Sequence, residues 1–170
     1  MQEQGRGFNS KLMKYFDELK KSMEWLATKP DSLFVGQAVE VPGTAMFNTL
    51  KDVQKEKKLE LPVFEDTQLG LSIGMSLVGH KIISIFPRWN FLICATNQLV
   101  SHLDKFPIIS EGEVQPSIII RTSVGSEKPL FPGHQHIGNM SSAYRKMLST
   151  VEIIELYEPK EILESYKKAY

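Results

Sequence analysis

Apolar side chains recur along the chain with two periods. Leu12, Tyr15, Phe16, Leu19, Met23 and Leu26 follow the three-to-four spacing of an amphipathic helix over about 10–28, with Asn9 or Ser10 as its cap and Lys29-Pro30 as its stop. Leu33-Phe34-Val35, closed by Gly36, is a short apolar run of the kind a buried strand makes. Residues 45–57 return to helical spacing through Met46, Leu50 and Val53. After a charged stretch, 59–64 reads as a second strand. Residues 66–79 alternate small and large side chains, with Gly70, Ser72, Gly74 and Ser76 on a helix that Gly79 ends. A strand over 81–86, a helix over 89–105 and a strand at 118–120 come next, then a loop over 122–138 rich in Gly, Pro and His. A short helix over 139–148, a strand over 151–156 and a closing helix over about 160–169, entered through Pro159, complete the pattern.

Strands that are apolar on both faces and alternate with helices predict a mainly parallel sheet covered on both sides, a three-layer α/β/α fold. At 170 residues the chain is expected to form a single domain over 1–170, and 42% hydrophobic residues suffice for a core. Lys plus Arg and Asp plus Glu both total 20, so no global field draws in nucleic acid or an anionic membrane. The single cysteine, Cys94, excludes an internal disulfide and reads as a small buried hydrophobe. No apolar run approaches a membrane span, and the Met-Gln-Glu-Gln start is unlike a signal peptide. The expectation is a soluble, cytoplasmic protein.

Ligands of parallel α/β sheets sit beyond the carboxyl ends of the strands. The residues there are Gln37, Glu65, the segment 87–91 and the loop holding His134 and His136. Glu65 reads either as a first-turn glutamate favoured by the helix dipole or as a partly buried carboxyl able to share a proton near neutrality. Trp89 and Phe91 read as core or as ligand contacts. His134 and His136 read as incidental loop histidines or as site residues, and no acidic partner nearby makes a metal site of them. No GxSxG elbow, Walker loop or GxGxxG is present; Val35-Gly36-Gln37-Ala38-Val39 follows the first strand instead.

The order Leu61-Pro62-Val63-Phe64-Glu65, then Gly70, Gly74 and Gly79, then Phe86-Pro87-Arg88-Trp89-Asn90-Phe91, resembles the pyrimidine-binding domain of thiamine-diphosphate enzymes. The β subunit of 2-oxo-acid dehydrogenases and the middle domain of transketolase carry that domain, and the likeness runs from about Leu12 onward. The resemblance implies that Glu65 hydrogen-bonds a ring nitrogen of the cofactor's aminopyrimidine, Phe91 stacks on that ring, and Val63 and Pro87 line its pocket. By the same resemblance His136, or His134 in a shifted register, faces the substrate as a proton-transfer group. The family's Gly-Asp-Gly and Asn motif for diphosphate and magnesium is absent. The resemblance therefore implies half a site. A separate diphosphate-binding chain would hold the magnesium ion, in a homo-dimer or hetero-tetramer with the glycine-rich helix at a subunit contact.

Two departures bear on this. Gly36-Gln37 stands where the family's β subunits have Gly-Glu, and the loop over 122–138 is not their glycine-rich version, so the substrate does not carry over. The alternatives are a non-catalytic assembly or regulatory domain with the same fold, which Gln37 favours, and an unrelated α/β small-molecule binder. The closing residues fall about where a linker to the family's C-terminal domain begins.

Overall fold

Four parallel strands form the sheet, in the order β2-β1-β3-β4. The computed structural model describes residues 2–125, 127 and 131–170, with side chains from residue 11 onward. Strand β1 is Ser32–Gly36, β2 Lys58–Glu60, β3 Lys81–Ile85 and β4 Ile118–Arg121. Phe34 lies opposite Lys58 on one side and Ile83 on the other, and Ile83 lies opposite Ile119. The predicted three-layer α/β/α class is the observed one.

Helix α1 (Gln2–Ala27) and helix α7 (Pro159–Ala169) cover one face. Met23 and Leu26 of α1 meet Phe34, Ile83, Ile85 and Ile162 there, all fully or almost fully buried. Helix α1 begins ahead of the predicted start at residue 10, and the expected caps Asn9 and Ser10 lie outside the described side chains. Helix α7 opens on a capping box, in which Glu158 and Glu161 satisfy each other's backbone N–H groups, with Pro159 in the first turn.

Helix α3 (Glu65–Leu77), the helical run from Trp89 and helix α6 (Ser141–Met147) cover the other face, where Leu69, Phe86, Leu92, Leu99 and Tyr144 pack. The small residues of α3 do bring it close to β3. Ser72 Oγ donates to Ser84 Oγ across 3.0 Å and Gln68 Nε2 donates to the Ile85 carbonyl at 2.9 Å. The helix predicted over 89–105 changes pitch along its length. Helix α4 (Trp89–Leu92) tightens to a 3₁₀ turn at Ile93–Ala95 and widens to a π turn at Gln98–Leu103, where the Asp104 N–H reaches back to Leu99 O at 3.0 Å. A further turn, α5 (Phe106–Ile109), follows.

Four expectations are corrected. The helix predicted over 45–57 stops at α2 (Ala45–Asn48), because the Thr49 hydroxyl bonds the Met46 carbonyl and three-residue turns at Leu50 and Val53 replace the helical ladder. Leu50 and Val53 still reach the core. The strand predicted over 59–64 is cut to Lys58–Glu60: Pro62 has no N–H for the ladder, and its carbonyl accepts from Phe64 N at 2.8 Å, turning the chain into α3. Residues 151–156 pair with no strand among those described. Cys94, expected to be buried, is exposed.

Candidate functional site

The carboxyl ends of β1 and β3 meet at a contact that only glycine permits. Gly36 has φ +143°, and a Cβ there would fall 2.2 Å from Ile85 O and 2.6 Å from Gln68 Nε2. The chain then turns at once, with Ala38 at φ +59°. Glu60 fixes this turn: its Oε1 accepts from Ala38 N at 2.9 Å, and its Oε2 accepts from Val39 N at 2.6 Å and Glu40 N at 2.7 Å. The charged stretch before Leu61 gave no sign of that role, because the three amides lie about twenty residues away in sequence.

So anchored, Gln37 is buried and its Nε2 donates to Glu65 Oε1 at 3.2 Å. Glu65 is the first residue of α3 and is only 8% exposed. It thus occupies the first turn of a helix, and its carboxyl is buried. Among the described residues no basic side chain forms an ion pair with it.

A second group forms where the turn after β3 meets the loop after β4. Phe86 N donates to Arg121 O at 2.9 Å, Trp89 N to Ser123 O at 3.1 Å and Ser123 Oγ to Pro87 O at 2.6 Å. Trp89 proves to be core, packed on Tyr144 with ring centroids 5.2 Å apart. Phe91 is half-buried and stacks on His136 at 5.7 Å with 28° between the ring planes. His136 lies in a single 3₁₀ turn, His134–His136, against Gly125, where a Cβ would collide with the His136 carbonyl.

Among the described residues, three buried polar atoms here have no hydrogen-bond partner: His136 Nδ1, Asn90 Oδ1 and Thr122 Oγ1. Buried polar atoms in folded proteins are almost always paired, so three orphans on adjoining segments mark a place where a ligand or water completes the bonding. Asn90 lies in the candidate segment 87–91 and Thr122 opens the loop over 122–138, but neither was given a role in the sequence, since their significance lies in a buried atom without a partner among the described residues.

His134 stands apart from this group, exposed and edge-on to Phe131 at 5.2 Å. Val63 is 66% exposed and Pro87 is half-buried. The structure thus joins Gln37 with Glu65, and Phe91 with His136, on one edge of the sheet. Among the described residues no group of three or more His, Cys, Asp or Glu side chains could hold a metal ion, and no helix is long and apolar enough to cross a membrane.

Fold and edge together define a class: a parallel α/β/α domain whose strand ends gather a buried carboxyl, an aromatic face and an imidazole. The chain is similar to the pyruvate dehydrogenase E1 component subunit beta of Gracilaria tenuistipitata var. liui, with 25% identity over 149 residues. The similarity covers 85% of this chain but 45% of that protein, so the chain spans less than half the length of this relative. No family model matches the chain.

Proposed function

We propose that this chain is the pyrimidine-binding half of a thiamine-diphosphate enzyme acting on a 2-oxo acid or a ketose, completed by a separate diphosphate-binding chain. The observation that carries the reading is Glu65: a buried carboxyl at a strand-to-helix junction, free of any ion pair among the described residues, with one oxygen held by Gln37. The similarity to a pyruvate dehydrogenase subunit supports the 2-oxo-acid side of it.

The residues fit the pyrimidine half of the cofactor. Glu65 would bond a ring nitrogen through the oxygen that Gln37 leaves free, and Phe91 would offer a flat apolar surface beside Pro87. His136 Nδ1 and Asn90 Oδ1 await partners on the same side of the turn. For the diphosphate and its cation the described residues offer no comparable set. When bound, the cofactor supplies a nucleophilic carbon for attack on a carbonyl, chemistry that no side chain provides. This chain's part is to hold a proton at Glu65, orient the ring and exclude water.

On this reading the outer face of α3 is a subunit contact. Leu71 and Leu77 are exposed on α3 and Val78 just past its end, and a Cβ at Gly74 would meet nothing within 4 Å. The same fold without catalysis remains the second reading. Gln37 favours it, because an amide occupies the place of a second carboxyl and engages Glu65.

The test is a titration of the isotope-labelled chain with thiamine, which carries the pyrimidine without the diphosphate. Shifts centred on Glu65, Pro87 and Phe91, weakened by Glu65→Gln, are expected. No shift at that edge would overturn the cofactor assignment, and tight magnesium-dependent binding of thiamine diphosphate by this chain alone would overturn the divided site.

A further inference from the structure

Helix α3 starts without a side-chain cap. Phe64 stands at the N-cap position and has no group with which to hold the first N–H groups, so the turn that carries Glu65 lacks the usual anchor. Apart from the contact of Gln37 with Glu65 itself, two side chains tie this end of the helix to its surroundings among the described residues. One is Asp66, whose Oδ2 accepts from Gln98 Nε2 at 3.2 Å on the exposed side. The other is Gln68, three residues after Glu65 and on the same face of the helix.

Gln68 is buried as deeply as Leu69 beside it. Its Nε2 donates to the Ile85 carbonyl at 2.9 Å and to Ser84 Oγ at 3.3 Å. A carbonyl can only accept, so Ile85 fixes which end of the amide is the nitrogen. The same carbonyl accepts from Gln37 N at 3.3 Å. One oxygen at the end of β3 therefore holds the backbone of Gln37 from β1 and the side chain of Gln68 from α3. Glycine at position 36 makes room for this meeting, since a Cβ there would lie 2.6 Å from Gln68 Nε2. The circuit is completed at the edge, where Gln37 Nε2 donates to Glu65 Oε1.

Stability alone does not account for an amide at this place. Gln68 Oε1 is buried with no hydrogen-bond partner among the described residues, and an unpaired buried carbonyl is destabilising. Removing the whole amide would strand nothing, because Ile85 O keeps Gln37 N and Ser84 Oγ keeps Ser72 Oγ at 3.0 Å. An apolar side chain of the same length would satisfy this core better than glutamine does. What the amide adds is geometric: it joins the turn after Glu65 to the carbonyl that also holds Gln37.

We infer that Gln68 is a positioning residue for Glu65: through the shared Ile85 carbonyl it sets the first turn of α3 against the end of β1, so that Gln37 and Glu65 meet at hydrogen-bond distance. The purpose of this device rests on the reading of Glu65 as the group that meets the pyrimidine. The geometry it controls can be measured with no cofactor present.

The variant that tests this is Gln68→Met, which keeps the length and loses the amide, compared with wild type as the full isotope-labelled chain. The side-chain amide protons of Gln37 report the contact with Glu65. In Gln68→Met they should move toward the resonances of a free glutamine and exchange with water about tenfold faster or more, while the melting temperature is no lower than that of wild type. Ser72→Ala removes a bond of the same buried network without touching Ile85, and Gln98→Ala releases the exposed Asp66; both should leave the Gln37 signals in place. Unchanged Gln37 signals in Gln68→Met would overturn the inference. So would a lowered melting temperature or a failure to fold, which would assign Gln68 to stability, and so would an equal response to Ser72→Ala, which would mean that general packing holds the pair. Thiamine separates this result from the cofactor reading. Gln68→Met should weaken its binding about threefold or more, because the carboxyl is no longer held in place, and equal affinity in the two proteins would overturn the inference. Absence of thiamine binding by wild type would end the cofactor reading alone, and the Gln37 signals would still decide the role of Gln68.

Discussion

The side-chain amide of Gln37 donates to Glu65 Oε1 at 3.2 Å, tying the end of β1 to the first turn of α3 in a buried setting. An amide suits a carboxylate in either protonation state, because it gives a hydrogen bond without adding charge. A glutamate at position 37 would set two carboxyls face to face. One of them would then hold its proton to a pH above the ordinary carboxylate range.

The first prediction follows from that sign. A carboxyl whose folded pKa is raised above its unfolded value costs no stability in acid and costs progressively more as pH rises through that interval. Gln37→Glu should therefore lie closest to wild type near pH 4 and fall behind it by pH 8. Urea unfolding of both proteins across that range measures the gap. A constant gap would mean that the two side chains no longer meet.

The second concerns Gly36. Any side chain there meets the Ile85 carbonyl at 2.2 Å in a backbone region that L-residues rarely enter. Because the obstacle is backbone, Gly36→Ala should cost at least about 2 kcal/mol. Denaturant melts at neutral pH test it. Gly74→Ala, in open space on an exposed helix face, serves as the contrast and should be neutral or stabilising.

The third concerns Asp104, whose side chain is fully buried where the π turn ends. Burial pushes its carboxyl pKa up, but Lys105 and the backbone N–H groups of Thr150, Val151 and Ser149 together outweigh burial and hold it far below the ordinary carboxylate range. Its folded value is depressed, so the stability it contributes is full above about pH 4 and is lost as pH falls toward the folded value. Asp104→Asn should lose about 2 kcal/mol at pH 7, the penalty for broken charge-assisted bonds, and should flatten the acid limb of the stability curve. An unchanged acid limb would show that other carboxylates set it.

Much of this architecture was legible in the sequence. The runs 33–35, 81–85 and 118–120 are strands because an apolar stretch between helices has to be buried on both faces. Helix α7 was legible from Pro159 and its amphipathic spacing. Residues 45–57 misled because Leu50 and Val53 are buried as a helix would bury them, but on tight turns. Residues 151–156 misled differently. Their alternation is that of a strand, but pairing depends on a neighbour that no local pattern reveals. In the site, position after a strand pointed to Gln37, Glu65, the segment 87–91 and the loop holding His134 and His136 alike. It could not show that Glu60 binds three amides, or that Asn90 Oδ1 and Thr122 Oγ1 are buried without partners among the described residues, since each fact depends on distant segments meeting.

The last prediction separates the two loop histidines. Among the described residues, His136 is half-buried and stacked on Phe91 with its Nδ1 buried without a partner, whereas His134 is exposed and sits edge-on to Phe131. A positioned imidazole with a free nitrogen can pass a proton to or from a bound substrate, and losing such a group slows the chemical step by about 10²-fold or more. In the complex with a diphosphate-binding chain, His136→Ala should show that loss with cofactor binding nearly unchanged, and His134→Ala should change turnover by about twofold at most. A second readout needs no turnover: thiamine added to the free chain should move the imidazole resonances of His136 and leave those of His134 in place. If the two residues exchange these behaviours, the loop is read two residues out of register. If neither responds, the proton donor belongs to the partner chain, and the stacked His136 serves to fix the plane of Phe91.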